Sequence, residues 1–101
     1  MANIIQVIAA QARVVDRSGT VTLGGTAQVQ IPVNRQRVGF WIQNLSAGDL
    51  FISEIGAAVA AQPSIKLIPI ALFENPITGC TTNAISILGA TTAQAFSARE
   101  W

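Results

Sequence analysis

The sequence predicts an all-β domain, on the strength of its composition and its patterning. Val, Ile and Thr account for 29 of the 101 residues, and these β-branched residues are enriched in strands. Short runs of alternating apolar and polar residues recur between Gly, Pro, Asn and Asp, at spacings of roughly 8 to 12 residues. We therefore predict one domain of seven or eight short strands, arranged as a sandwich, a jelly roll or a small barrel.

The amino-terminal segment fits two structures. Ile4 and Ile8 lie on one face of a possible helix over residues 4–15, whereas the Val and Ile content of that run favours a strand. We predict a strand, which could also act as an arm that adds to the sheet of a neighbouring subunit. The chain then divides into residues 1–18, the strand or arm, and residues 19–101, the sandwich domain.

Two strands are predicted before the middle of the chain. Residues 27–33 alternate, with the valines and Ile31 on one face and two glutamines on the other. Pro32 makes this segment an edge strand or the end of a strand. Residues 37–44 carry large side chains on both faces, which is typical of a central strand.

The second half of the chain continues the pattern. Residues 44–49 have the composition of a turn, and residues 50–55 read as a strand, so we predict a hairpin between this strand and the one before the turn. Residues 56–64 show no alternation and are predicted to form a loop. The remaining predicted strands are residues 65–68, 71–74, 84–88 and 94–99.

The composition disfavours several classes of function. The 11% of charged residues and the net charge of +1 give no basic surface for nucleic acid. The absence of His and the single cysteine, Cys80, exclude Ser-His and Cys-His nucleophile pairs and zinc sites built from His and Cys. We expect no enzyme activity and no cofactor. We also expect no signal peptide and no membrane span, because the apolar runs are short.

Two long stretches, residues 18–34 and 75–98, contain no charged residue. Charges normally protect exposed strand edges from pairing with other chains, so we expect sister subunits to cover these edges. We predict contacts from the arm, from arginines able to bind carboxylates, from an aromatic anchor and from a tryptophan that ends the sequence. The predicted interface residues are Ile4, Ile5, Val7, Ile8, Arg35, Arg37, Trp41 and Trp101.

Residues 35–101 contain six runs whose arrangement is distinctive: Arg37-Val38-Gly39-Phe40-Trp41-Ile42-Gln43-Asn44-Leu45-Ser46, Leu50-Phe51-Ile52-Ser53, Ile65-Lys66-Leu67, Phe73-Glu74-Asn75-Pro76, Ile85-Ser86-Ile87-Leu88-Gly89 and Phe96-Ser97-Ala98-Arg99-Glu100-Trp101. In these runs the chain resembles small bacteriophage virion proteins. Where such chains often place Pro-Gly before the aromatic strand, this one has Pro69-Ile70-Ala71-Leu72-Phe73.

The resemblance implies a short β-sandwich that is attached to a capsid as a cement, decoration or fibre-base subunit, and we predict a sandwich of jelly-roll type. The expected partner is the major capsid protein, and the expected assembly is a homo-oligomer, with a trimer as the first expectation. The location would be the capsid surface of the virion, after synthesis in the cytoplasm of the bacterial host. Two alternatives remain open: a tail or connector component of the virion, and a carbohydrate-binding sandwich that uses Trp41 and Trp101 as stacking platforms.

Overall fold

The computed structural model describes residues 14–75 and 79–101, and in these residues the protein is all-β. No helix occurs in this part of the chain, so none is long and apolar enough to cross a membrane. The strands are β1 (Val15–Asp16), β2 (Gly19–Thr20), β3 (Gln28–Ile31), β4 (Phe40–Asn44), β5 (Leu50–Ser53), β6 (Ile65–Leu67), β7 (Leu72–Glu74), β8 (Ile85–Gly89) and β9 (Ala95–Glu100).

The strands form two antiparallel sheets. Sheet A has the order β1-β9-β4-β7, and β2 also pairs with β9. Sheet B has the order β3-β8-β5-β6. The strands β1 and β2 pair with opposite ends of β9, because Val15 lies opposite Glu100 whereas Gly19 lies opposite Phe96. Residues 15–20 therefore follow one edge of sheet A as a strand interrupted at its middle.

The core lies between the sheets. In the central strands β4, β5, β8 and β9, the side chains that alternate inward are buried and come from both sheets, as expected for two sheets packed face to face. Burial of these apolar side chains drives their association. The core cluster consists of Val21, Ile31, Phe40, Ile42, Leu50, Ile52, Leu67, Ile85, Ile87, Phe96 and Ala98.

The predicted hairpin between β4 and β5 is wrong, because β4 lies in sheet A and β5 in sheet B. The buried side chain of Asn44 lies at the crossing and bonds to both of its sides. Its Nδ2 donates to the carbonyls of Gly48 at 2.7 Å and Leu67 at 2.8 Å, and its Oδ1 accepts from the Ser46 amide at 2.9 Å. Residues 44–49 connect two strands as predicted, but they carry the chain from one sheet to the other.

The strand β3 is an edge strand that ends before Pro32, as predicted, but its alternation differs from the prediction. The register shifts between Val29 and Ile31, so Ile31 is buried while Val29 is 65% exposed. The side chains of Gln28 and Gln30 turn towards sheet A. Gln30 Nε2 donates to the Arg17 carbonyl at 2.8 Å, and Gln28 Nε2 donates to the Thr20 carbonyl at 3.2 Å.

A tight turn precedes β7. The Ala71 amide donates to the Ile68 carbonyl at 3.0 Å, and Ile70 has a φ of 74°. This is the arrangement of a type II turn, with Pro69 at the second position and a residue of positive φ at the third. Ile70 thus occupies a turn position that favours glycine.

Candidate functional site

Trp41 lies on the outer face of sheet A, in a row of polar side chains that crosses all four strand positions. It faces outward because the residues that alternate with it along β4 are buried. Trp41 lies opposite Arg99 on one side and Glu74 on the other, and Arg99 lies opposite Asp16. Residues opposite one another in antiparallel strands have adjacent side chains. The row therefore reads Asp16, Arg99, Trp41, Glu74.

Trp101 lies on the same face, over Gly39. The Trp101 amide donates to the Gly39 carbonyl at 3.0 Å, and the Trp101 carbonyl accepts from the Val38 amide at 2.6 Å and the Gly39 amide at 3.1 Å. A Cβ atom on Gly39 would lie only 2.5 Å from Cζ2 of the indole. The absence of a side chain at Gly39 therefore lets the ring lie against the sheet. We call Asp16, Gly39, Trp41, Glu74, Arg99 and Trp101 the tryptophan face.

Arg99 covers the ring of Trp41, whereas the ring of Trp101 lies over Gly39. The guanidinium carbon of Arg99 lies 5.0 Å from the centroid of the Trp41 ring, which is a cation–π contact. A shallow depression of about 430 Å³ lies beside Trp41, and Asp16, Ser97 and Arg99 are among the residues that line it. Another depression, of about 560 Å³, lies elsewhere on the molecule and is described below as the apolar groove. Both tryptophans remain half-exposed. The tryptophan face thus has accessible aromatic surface beside polar side chains.

Asp16 is ionised at the edge of this depression. Hydrogen bonds from Ser18, whose amide donates to Oδ1 at 2.9 Å, lower the pKa of the Asp16 carboxyl, and the positive charge of Arg99 lowers it further. The row thus has side-chain carboxyl groups at both ends and a guanidinium next to the tryptophan.

Arg37 is buried inside the chain beneath this region. Its Nε donates to Glu100 at 3.0 Å, its Nη1 donates to the carbonyls of Thr81 and Asn83, both at 2.8 Å, and its Nη2 donates to the Pro32 carbonyl at 2.7 Å. The side chain has no exposed surface. Arg37 therefore joins β9 to the segments that precede β4 and β8.

Glu100 is the acceptor at the centre of this arrangement. Besides the bond from Arg37, it accepts hydrogen bonds from Arg17 Nε at 2.7 Å and from Asn34 Nδ2 at 3.0 Å. Burial would raise the pKa of Glu100, but the hydrogen bonds from Asn34, Arg17 and Arg37 hold it below its ordinary value. We call Glu100, Arg37, Arg17 and Asn34 the buried ionic cluster.

An apolar groove of about 560 Å³ opens between β3 and the segments next to β5 and β8. Three of its side chains are well exposed: Val29 at 65%, Val33 at 63% and Ile55 at 73%. Its other apolar residues are alanines, and polar groups such as Glu54 and Asn83 lie among them. We call Ala27, Val29, Val33, Ile55, Ala57 and Ala84 the apolar groove.

The structure brings only some of the predicted interface residues together. Trp41 and Trp101 share the tryptophan face, Arg35 is exposed, and Arg37 is buried in the ionic cluster. The predicted arm residues Ile4, Ile5, Val7 and Ile8 lie outside the described residues.

Asp16, Glu74 and Arg99 were not predicted as neighbours of Trp41, because the register of the strands decides which residues are adjacent. The close packing at Gly39 could have been predicted from the sequence. A glycine beside large residues in a strand indicates that another group approaches the backbone closely.

The chemistry available in the described residues is limited. In residues 14–75 and 79–101, no group of three or more Cys, Asp or Glu side chains could hold a metal ion. Burial raises the pKa of the Cys80 thiol, so the thiolate, which is the nucleophilic form, is less populated at neutral pH. The features that remain are the tryptophan face and the apolar groove.

Comparison with known proteins gives no assignment. No family model matches the chain, and no curated protein or solved structure matches it.

Proposed function

We propose that this chain is a structural, non-enzymatic subunit of a bacteriophage virion, which binds the major capsid protein on the capsid surface as a cement or decoration protein. We propose that it acts as a homo-oligomer, with a trimer as the expected state. The observation that carries this proposal is the apolar groove. A protein with so few charges leaves Val29, Val33 and Ile55 largely in water, and contiguous exposed apolar surface is typical of protein–protein contacts.

Burial of the groove supplies the driving force. Each Å² of apolar surface removed from water contributes about 25 cal/mol, before the costs of association are subtracted. The contact made by a single groove is weak, but a decoration protein makes many identical contacts on a shell. The summed contacts would strengthen the shell without any new chemistry.

The edge strand β3 supports the same proposal. It carries no charged residue, whereas the edge strands β6 and β7 carry Lys66 and Glu74. Natural proteins usually protect an exposed edge with charge, so an uncharged edge beside an apolar groove favours a covering subunit. We propose that the arm, residues 4–8 in particular, reaches such a neighbour.

We further propose that the sandwich is of the jelly-roll type. Counting β1 and β2 as one interrupted strand along β9 gives eight strands, four in each sheet, in the orders 1/2-9-4-7 and 3-8-5-6. Jelly rolls have eight strands in two sheets and occur in viral capsid domains. The order supports the proposal because, apart from β5 and β6, the neighbouring strands in each sheet are not consecutive in the sequence.

The experiment is a sedimentation assay with particles of the phage that encodes the chain, prepared without this protein. The full chain should pellet with the particles, and Val29→Glu combined with Val33→Glu should abolish pelleting. Leu23→Glu is the matched control, because Leu23 is 60% exposed and lies outside the groove. Circular dichroism would establish that all variants fold.

Two outcomes would overturn the proposal: failure of the wild-type chain to pellet, or equal pelleting of the groove variant and the wild type. The copy number on native particles separates a shell protein from a tail or connector component. Copies in the hundreds would support a shell protein, whereas the copies of a single ring would indicate a tail or connector component.

A further inference from the structure

We propose that the tryptophan face is a binding surface for neutral saccharides, an activity that is separate from attachment to a capsid. The proposal joins three observations: two accessible indole rings on one face of a sheet, polar groups of both hydrogen-bonding types around them, and a balance of charge that disfavours a strongly charged ligand.

The aromatic part of the surface is fixed by the backbone. Trp101 is held by its own amide and carbonyl and lies against Gly39, which precedes Trp41 by two residues. The two indoles, one in β4 and one directly after β9, therefore lie on neighbouring parts of one face. Each can contact the apolar C–H face of a sugar unit, as aromatic side chains do in apolar ligand sites.

The polar part of the surface selects the ligand. Asp16 and Glu74 are acceptors and Arg99 is a donor, and they alternate in sign along one row. An anionic ligand would meet repulsion from the carboxylates, and a cationic ligand would meet repulsion from Arg99. Sugar hydroxyls both donate and accept hydrogen bonds, so a neutral saccharide can satisfy all three groups at once.

Arg99 does not obstruct this role. It covers Trp41 through a cation–π contact at 5.0 Å, yet its side chain is exposed and belongs to an edge of the shallow depression. Exposed cation–π contacts are weak. A sugar can therefore displace the guanidinium from the ring and accept hydrogen bonds from it at the side.

The experiment uses the full chain without particles. Cellohexaose, maltohexaose and chitohexaose serve as neutral probes, and an oligogalacturonate serves as the anionic probe. Intrinsic tryptophan fluorescence and isothermal titration calorimetry measure binding. We expect saturable binding of at least one neutral probe, with a change in tryptophan emission, and weaker or no binding of the anionic probe.

Variants assign the binding to this face. Trp41→Ala should weaken binding at least tenfold, as expected when an aromatic anchor is removed. Phe51→Ala is the matched control, because Phe51 is a half-exposed aromatic residue that alternates with buried residues on the opposite sheet. Glu74→Gln, at an exposed position, tests the polar rim without loss of packing and should weaken binding several-fold.

The proposal is overturned if no neutral probe binds, if the anionic probe binds more tightly, or if Trp41→Ala and Phe51→Ala have equal effects. These results are independent of particle sedimentation. A negative result in the saccharide assay would not bear on the proposed structural role. A negative result in the sedimentation assay would not bear on the proposed saccharide site.

Discussion

Replacement of Arg37 by Met tests the buried ionic cluster. The substitution keeps an unbranched side chain but removes four hydrogen bonds, one to Glu100 and three to backbone carbonyls. Breaking a buried ion pair by removing one partner costs about 3 to 5 kcal/mol. A domain of this length has a free energy of unfolding of about 5 to 15 kcal/mol, so Arg37→Met should remove a large fraction of the stability.

Arg35→Met is the matched control, because Arg35 lies two residues earlier and is exposed. It should change the free energy of unfolding by no more than about 0.5 kcal/mol. Urea unfolding followed by tryptophan fluorescence measures both variants. Equal losses of stability at the two positions would show that the hydrogen bonds of Arg37 do not stabilise the fold. Combining Arg37→Met with Glu100→Gln should cost less than the sum of the single substitutions, because the two side chains interact directly.

Three further predictions concern single residues. Ile70→Gly should raise the free energy of unfolding by about 0.5 to 1 kcal/mol, because relief of the positive φ outweighs the flexibility of glycine; thermal unfolding would show this, and Ile68→Gly, without a positive φ, should instead destabilise. Gly39→Ala should cost about 1 to 3 kcal/mol and alter the tryptophan emission, because the new methyl group displaces the ring of Trp101; an unchanged emission spectrum would contradict the described packing. The lowered pKa of Glu100 means that its contribution to stability is present above the ordinary carboxyl pKa of 4.5 and is lost as the pH falls through the lower value in the folded state; acid titration of stability should be less steep in Glu100→Gln, and identical slopes would argue against the cluster.

The sequence was sufficient to predict the strands because their signals are local. Alternation and turn residues placed seven segments close to the observed β3 to β9. The central position of β4 followed from large side chains on both of its faces, and Pro32 marked the end of an edge strand. Each of these features depends on residues within a few positions of one another.

The pairing of strands could not be obtained in the same way. A turn such as residues 44–49 is compatible with a hairpin or with a crossing between sheets, and in the structure the crossing is accompanied by a hydrogen bond from Asn44 to the distant Leu67 carbonyl. The shift within β3 is likewise accompanied by a hydrogen bond from Gln30 to the Arg17 carbonyl, 13 residues earlier.

The candidate site was also only partly predictable from the sequence. Trp41 and Trp101 were recognisable as large aromatic residues in unusual positions, but their common face depends on the register of β9 against β4. Arg35 and Arg37 look equivalent in the sequence. Only the long-range partner Glu100 distinguishes the buried arginine from the exposed one.

We expect neighbouring copies of this chain to cover the apolar surface that its few charges leave exposed. Multi-angle light scattering of the full chain, over a dilution series beside the Val29→Glu, Val33→Glu variant, measures this association. The wild type should form an oligomer and the variant a folded monomer. A wild-type chain that stays monomeric and soluble at the highest concentration would show that neighbouring copies do not cover this surface.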